Sequence, residues 1–209
     1  MKQELKNTLI YLIGFPGTGK YTIAKEIIQQ ADVKLVDNHL INNPLFSIIQ
    51  TRGVPRLPER VWDNVDKIWE AVLDTMVHIS PADYSFVLTN VLLNDDPGDL
   101  RLYNNIKSTA EQRNACFVPV KLTISDVEEH RKRITTEERR DRFKEVNPNS
   151  PEKYATRKQI LEFEHPNKFV LDVTQLPATE AAAKIIQHAV TMQSSMTQQK
   201  AACSSGGIA

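Results

Sequence analysis

Gly14-Phe15-Pro16-Gly17-Thr18-Gly19-Lys20-Tyr21-Thr22 holds three of the chain's seven glycines, one lysine, and a threonine two places after that lysine. A short apolar run, Thr8 to Ile13, leads into it. A helical pattern with Ile23, Ile27 and Ile28 on one side leads out, so the stretch reads as strand, glycine loop, helix. Glycines let a backbone wrap a polyphosphate with its N–H groups turned inward, and the amino end of the following helix adds its positive dipole end. Lys20 then brings a full charge to the outer phosphates. Gly14, Pro16, Gly17, Thr18, Gly19, Lys20, Tyr21 and Thr22 therefore read as a phosphate cradle.

The signature G-x-x-x-x-G-K-[ST] is not met, because Tyr21 occupies the hydroxyl position and Thr22 comes one residue later. The form present, Gly-x-Pro-Gly-x-Gly-Lys-x-Thr, resembles the adenylate-kinase branch of P-loop kinases, with Tyr21 where those enzymes usually carry glycine. Thr22 is then the hydroxyl that takes over as magnesium ligand. Failing that, the metal is held by another group or through water.

A chain of 209 residues is long enough for one α/β core and short for two, so a single domain over 1–191 is expected. Lys plus Arg and Asp plus Glu both number 26, and this balance offers no global electrostatic reason to expect nucleic acid or a membrane as partner. Cys116 sits in an apolar strand-like run and Cys203 in a polar tail, which is no disulfide framework and fits a reducing, cytoplasmic setting. The first apolar run spans six residues, too short for a membrane span or a leader segment. A monomer or homodimer is expected.

Apolar runs and helical patterns then alternate. Strands are expected at Thr8–Ile13, Lys34–Val36, Ser85–Thr89, Phe117–Leu122 and Lys168–Leu171. Between them, Val61, Val65, Ile68, Val72 and Met76 recur at helical spacing, with Trp62 and Trp69 widening the stripe as core residues. Asp99–Arg113 reads as a polar helix, and Thr179–Val190 as the helix closing the ordered part. Buried strands linked by helices imply a parallel sheet with right-handed crossovers and ligands at the carboxyl ends of its strands. From Met192 onward the sequence turns to Gln, Ser, Ala and Gly, and 192–209 reads as a disordered tail.

Leu35-Val36-Asp37-Asn38-His39-Leu40 closes the second strand, which places Asp37 where a phosphoryl acceptor would sit. Its carboxylate would accept the proton of an attacking hydroxyl or help to hold magnesium; equally, Asp37 and Asn38 suit the cap of the next helix. His39 would orient the acceptor or pack beside Leu40 and Ile41. Asn42-Asn43-Pro44 and Gly53–Pro58 read as loops of an acceptor pocket. At the end of the third strand stand Thr89 and Asn90, neutral where a P-loop enzyme often carries an acid, to position a metal-bound water or merely to end the strand.

Between His130 and Lys144 lie seven basic side chains against three acidic ones. Ser125 with Glu128, and Thr135 with Glu138, each match a capping box, so two short helices with a break near Thr135 are expected. A jointed basic segment over about 126–150 is what a lid over a triphosphate needs, with Arg133 and Arg139 as its phosphate contacts. A solvated helix face laced with Glu to Arg pairs is the alternative.

Together, the loop at 14–22, Val36–Leu40, Asp126–Lys144 and His165-Pro166-Asn167 leading to Leu171-Asp172-Val173-Thr174 resemble small bacterial-type P-loop kinases of the AAA-family ATP-binding kind. The likeness to shikimate kinase and chloramphenicol phosphotransferase is more distant. It spans roughly residues 8–190. It implies a P-loop NTPase fold, three-layer α/β/α with a five-stranded parallel sheet of nucleoside-kinase type and a basic helical lid. It also implies that the turn from Asp172 through Thr174 to Pro177 packs on adenine with a lid arginine on the other face, and that the base is Asp37. This chain lacks the second aspartate and glycine triplet of shikimate kinases and the acid-bearing motif of adenylate kinases. The expected function is ATP- and magnesium-dependent phosphoryl transfer to a small hydroxyl-bearing molecule. Lys20, Asp37, Arg133 and Arg139 would be catalytic, and Thr22 and Asp37 would be metal ligands. A nucleotide-dependent switch or partner-binding module stands beside it, as does action on RNA ends.

Overall fold

The computed structural model describes residues 2–49, 57–137, 139 and 144–205. Five strands, β1 (Thr8–Ile13), β2 (Lys34–Asp37), β3 (Phe86–Asn90), β4 (Cys116–Thr123) and β5 (Phe169–Asp172), form one sheet in the order β2-β3-β1-β4-β5. Every pairing is parallel. Among the described residues the helices are α1 (Lys20–Gln30), α2 (Asn38–Phe46), α3 (Glu59–His78), α4 (Pro97–Gln112), α5 (Val127–Ile134), α6 (Ser150–Thr156) and α7 (Ala178–Ser205).

β1 sits at the centre, and all six of its side chains are buried. Ile10 and Leu12 point into a cluster built with Ile23 and Ile27 of α1 and Ile185 and Ala189 of α7. Leu9, Tyr11 and Ile13 point into the opposite cluster, with Val65, Trp69 and Met76 of α3 and Tyr103 and Ile106 of α4. A strand buried on both faces reads as an unbroken apolar run, which is why Thr8–Ile13 is legible as sheet centre. The result is the three-layer α/β/α architecture expected of a P-loop kinase fold.

Local chemistry sets the helix ends. The Asp96 carboxylate accepts from Gly98 N, with Pro97 in the first turn, so α4 starts two residues before the expected Asp99. The cap of α5 is Asp126, whose carboxylate accepts from Glu128 N and Glu129 N, and not Ser125. Ser125 N instead donates to the Thr174 hydroxyl, tying this turn to the one after β5. α5 ends at Ile134 with Thr135 as its C-cap, as expected; Glu138 of the second capping box and 140–143 of the expected lid segment lie outside the described residues. So do 53–56 of the expected acceptor loop. Trp69 is core, whereas Trp62 is 44% exposed and meets Phe46 edge-on, because it falls on the rim of the α3 stripe.

The largest departure concerns the tail. Residues expected to be disordered from Met192 continue α7 as helix to Ser205. Met192 and Met196 pack against the α1/α7 cluster, and Gln193 Nε2 donates to Lys6 O at 2.6 Å. The polar composition hides this because only two apolar residues, four apart, are needed to extend the buried stripe by a turn. Among the described residues, no helix is long and apolar enough to cross a membrane. Replacing Met192 and Met196 together by Asp should cost about 1–3 kcal/mol in urea unfolding. An unchanged midpoint would show that the helix beyond Thr191 adds nothing to the core.

Candidate functional site

At the carboxyl ends of the strands, the described residues enclose a cavity of about 460 Å³, lined by the glycine loop, the start of α1, the β2–α2 junction, the lid segment and the β5–α7 turn. Its floor is the loop. Gly17 and Gly19 take positive φ of 92° and 79°, so the chain turns twice through the left-handed region before α1 begins. Gly19 is the N-cap of α1, which leaves the first-turn amides without acceptors inside the helix. Gly14, unlike Pro16 to Thr22, does not line the cavity, and a Cβ there would come 2.8 Å from Leu122 O. The Thr18 hydroxyl closes the turn by donating to Phe15 O at 2.9 Å.

Lys20 is buried and donates from Nζ to Gly14 O at 2.6 Å and to Phe15 O at 2.9 Å. Burial, then the charges of Arg139 and Lys144, pushes its ammonium down to about 7 against a smaller opposing pull from Asp37. A polyanion seated on the loop would reverse that balance. Thr22 is exposed on the first turn of α1 and lines the same cavity. The Tyr21 ring lies beneath two cations, Lys144 Nζ at 4.5 Å and Lys25 Nζ at 5.1 Å from its centroid.

Asp37 is 3% exposed and lines the cavity although β3 separates its strand from β1. One carboxylate oxygen accepts from the Thr89 hydroxyl and the other from His39 N at 3.3 Å, capping α2. The capping reading of Asp37 is observed, the same carboxylate lines the cavity, and Thr89 is the residue that orients it. Asn90 is buried, its carbonyl accepts from Gly14 N at 3.3 Å, and its side-chain Oδ1 has no hydrogen-bond partner among the described residues. His39 lines the cavity, with Nδ1 at 3.2 Å from Asn43 Oδ1, and burial, followed by the charge of Lys144, lowers its pKa.

Arg133 bridges two walls. Its Nε donates to Glu129 at 2.8 Å, and its two terminal nitrogens donate to Val173 O at 3.0 Å and Thr174 O at 2.7 Å. Arg139 donates from Nε to Glu145 O at 3.1 Å, and burial lowers its pKa. Both face the cavity. In the β5–α7 turn, Val173, Leu176 and Pro177 line it, while Asp172 and Thr174 do not. The Asp172 carboxylate instead accepts from Thr174 N at 2.8 Å, so these two shape the turn that presents its apolar neighbours.

Two residues absent from the sequence-derived set hold the loop. His130 of α5 donates from Nε2 to Pro16 O at 2.6 Å, with its pKa lowered mainly by burial, which keeps the ring a neutral donor. Tyr154 of α6 stacks on Phe15 with centroids 4.4 Å apart and tilts against His130 at 5.8 Å. The two contacts with the loop each span more than a hundred residues of chain, and no local pattern announces them.

Among the described residues no group of three or more His, Cys, Asp or Glu is placed to hold a metal. Asp37, Glu145 and the Thr22 hydroxyl are among the oxygen donors that line the cavity, so a magnesium ion held there would need further oxygen ligands from a nucleotide or water.

No protein-family model and no curated protein matches the chain. Solved structures do match at the level of the fold. A gluconokinase from Sinorhizobium meliloti 1021 is 14% identical with a TM-score of 0.62, covering 92% of this chain and 97% of its own. A sugar kinase from Janibacter sp. HTCC2649 is 17% identical with a TM-score of 0.56, covering 89% and 98%. The Mycobacterium tuberculosis APS kinase CysC, solved with AMPPNP and APS, is 11% identical with a TM-score of 0.52, covering 88% and 98%. The chain shares the fold of these kinases.

A Cβ on Gly17 would lie 2.8 Å from His130 Cδ2, on a backbone that already strains any other residue. Gly17→Ala should therefore lower stability by about 1–3 kcal/mol, and His130→Ala in the same chain should recover the steric part only. Strictly additive unfolding free energies would show that the two do not meet.

Proposed function

We propose that the chain is an ATP-dependent phosphotransferase acting on a small hydroxyl-bearing molecule. The observation that carries this reading is that one cavity is lined both by Lys20 with its glycine cradle and by the buried carboxylate of Asp37. Neighbours in fold that are themselves kinases of small molecules support it. The loop amides and Lys20 grip the β- and γ-phosphates, and Thr22 with Asp37 accompanies the magnesium that arrives with the nucleotide. Val173, Leu176 and Pro177 offer an apolar wall to the base, fixed in place by Arg133. Such positioning and charge neutralisation supply most of the catalysis in phosphoryl transfer.

In the transfer step the acceptor oxygen bonds to the γ-phosphorus as its bond to the β-phosphate oxygen breaks. The electron pair leaves with ADP, and the acceptor's proton passes to the Asp37 carboxylate. Thr89 and His39 N hold that carboxylate in one orientation. Arg139 offsets charge on the group in transit, while Arg133 stays committed to Glu129 and the β5–α7 turn. The same hydrogen bonds that fix Asp37 favour a second reading, a slow ATPase or partner-binding switch in which Asp37 serves only α2. ADP release measured with and without a panel of small polyols and hydroxy acids separates them, since only a transferase is stimulated by its acceptor.

Lys20→Met should lower turnover at least about 100-fold, and full activity in that variant would remove the mechanism. Asp37→Asn keeps a side chain able to cap α2, so nucleotide affinity should change less than about threefold while transfer falls about 10²–10⁴-fold. Unchanged transfer would reduce Asp37 to a cap.

The depressed Lys20 pKa sets a pH dependence. Below about 7 the free protein already carries the ammonium, whereas above it Lys20 is mostly neutral and must take up a proton to meet the phosphates. Affinity for magnesium-ATP should thus fall as pH rises from 7 to 9, with proton uptake visible by calorimetry in buffers of different ionisation enthalpy. Affinity that stays flat or rises, without uptake, would contradict this.

A further inference from the structure

We propose that Lys144 is a catalytic cation of the transfer and that Tyr21 is its positioning residue, the ring fixing the ammonium between the phosphate end and the acceptor end of the cavity. The proposal rests on the phosphotransferase reading and assigns to this chain a device that neither the loop pattern nor the fold implies. Tyr21 follows the loop lysine directly, where a hydroxyl or a glycine is the usual occupant, so its aromatic ring needs a reason. The structure supplies one. Lys144, from the far side of the cavity, sets its Nζ 4.5 Å from the ring centroid, within the range at which a ring face attracts a cation.

Three observations place that ammonium at the reacting end. Lys144 lines the same cavity as Lys20, Asp37 and His39. Its charge depresses the pKa of both Lys20 and His39, so its field reaches the phosphate side and the acceptor side together. Its backbone N–H donates to Arg139 O at 3.0 Å, which joins the lysine to a second cavity-facing cation. Lys25, one helical turn beyond Tyr21, also lies over the ring, at 5.1 Å. Two ammonium groups on one ring repel each other, and the charge of Lys144 acts on Lys20 as well. Such a crowd of like charge is stabilised by an anion placed among them, and a flexible lysine aimed by a ring loses less freedom when the anion arrives. During transfer Lys144 neither gives nor takes a proton. It offsets negative charge on the three equatorial oxygens as the phosphoryl group passes from ADP to the acceptor.

The test is calorimetric titration with magnesium-ADP, alone and with aluminium fluoride as a flat stand-in for the group in transit. Variants are checked for folding by circular dichroism, with Lys144→Gln replacing Lys144→Met if the latter is unfolded. The wild type should bind the fluoride complex more tightly than magnesium-ADP. Lys144→Met should lose about tenfold on the fluoride complex and no more than about twofold on magnesium-ADP. Tyr21→Leu should lose about three- to fivefold on the fluoride complex, Tyr21→Phe should recover most of that, and the double variant should be no weaker than Lys144→Met alone. Equal losses on both ligands, additive losses in the double variant, a Phe variant as weak as Leu, or a wild type that gains nothing from fluoride would each overturn the assignment without contradicting nucleotide binding by the wild type. A wild type that binds neither magnesium-ATP nor magnesium-ADP would overturn the phosphotransferase reading itself.

Discussion

Everything about this site follows from burying an ammonium group beneath a glycine loop. Lys20 has surrendered most of its water and is held by the carbonyls of Gly14 and Phe15, with Arg139 and Lys144 adding charge of the same sign nearby. Desolvating a cation and surrounding it with others is costly unless something answers for it. The chain supplies only partial answers in the loop carbonyls and Asp37. Under the proposed function a polyphosphate would supply the rest, on a loop shaped by two left-handed glycines and the amino end of α1.

The surrounding fold holds that seat in register. β1 delivers the loop from the centre of the sheet, buried on both faces, so its carboxyl end cannot shift without disturbing both clusters. His130 fastens the loop from α5 and Tyr154 from α6, while Arg133 fastens α5 to the turn after β5. The lid-side helices and the loop are one hydrogen-bonded and stacked assembly. Movement of α5 would therefore be felt at Pro16 and Phe15 as well as at the arginines. Thr89 plays the matching part on the other side, linking β3 to Asp37 so that a neutral residue at the strand end orients the carboxylate.

Much of this was legible in the order of residues, for reasons that differ from element to element. The central strands β1, β3 and β4 are short apolar runs buried on both faces, and such runs stand out, whereas the edge strands β2 and β5 are only partly buried and are legible from their place between helical patterns. The expected boundaries of β1 coincide with those observed, and the other four fall within a residue or so. The glycine loop is legible because its backbone needs residues without side chains. Where two local solutions compete, the pattern misleads. Ser125 and Asp126 can both cap a helix, and the carboxylate wins because Ser125 is engaged with Thr174. The long α7 was missed because Met192 and Met196 act through packing on a distant helix, to which composition is blind. His130 and Tyr154 were missed for the same reason. Asp172 and Thr174 look like binding residues, yet they spend their polar atoms on shaping the turn.

The most direct measurement is amide hydrogen exchange of the wild-type chain with and without millimolar magnesium-ATP. Marked slowing over the peptide 14–22, with little change over the amino ends of the strands, is expected if the loop amides close on phosphate. Identical exchange over 14–22 in the presence and absence of the nucleotide would contradict the assignment of this cavity to a nucleoside triphosphate.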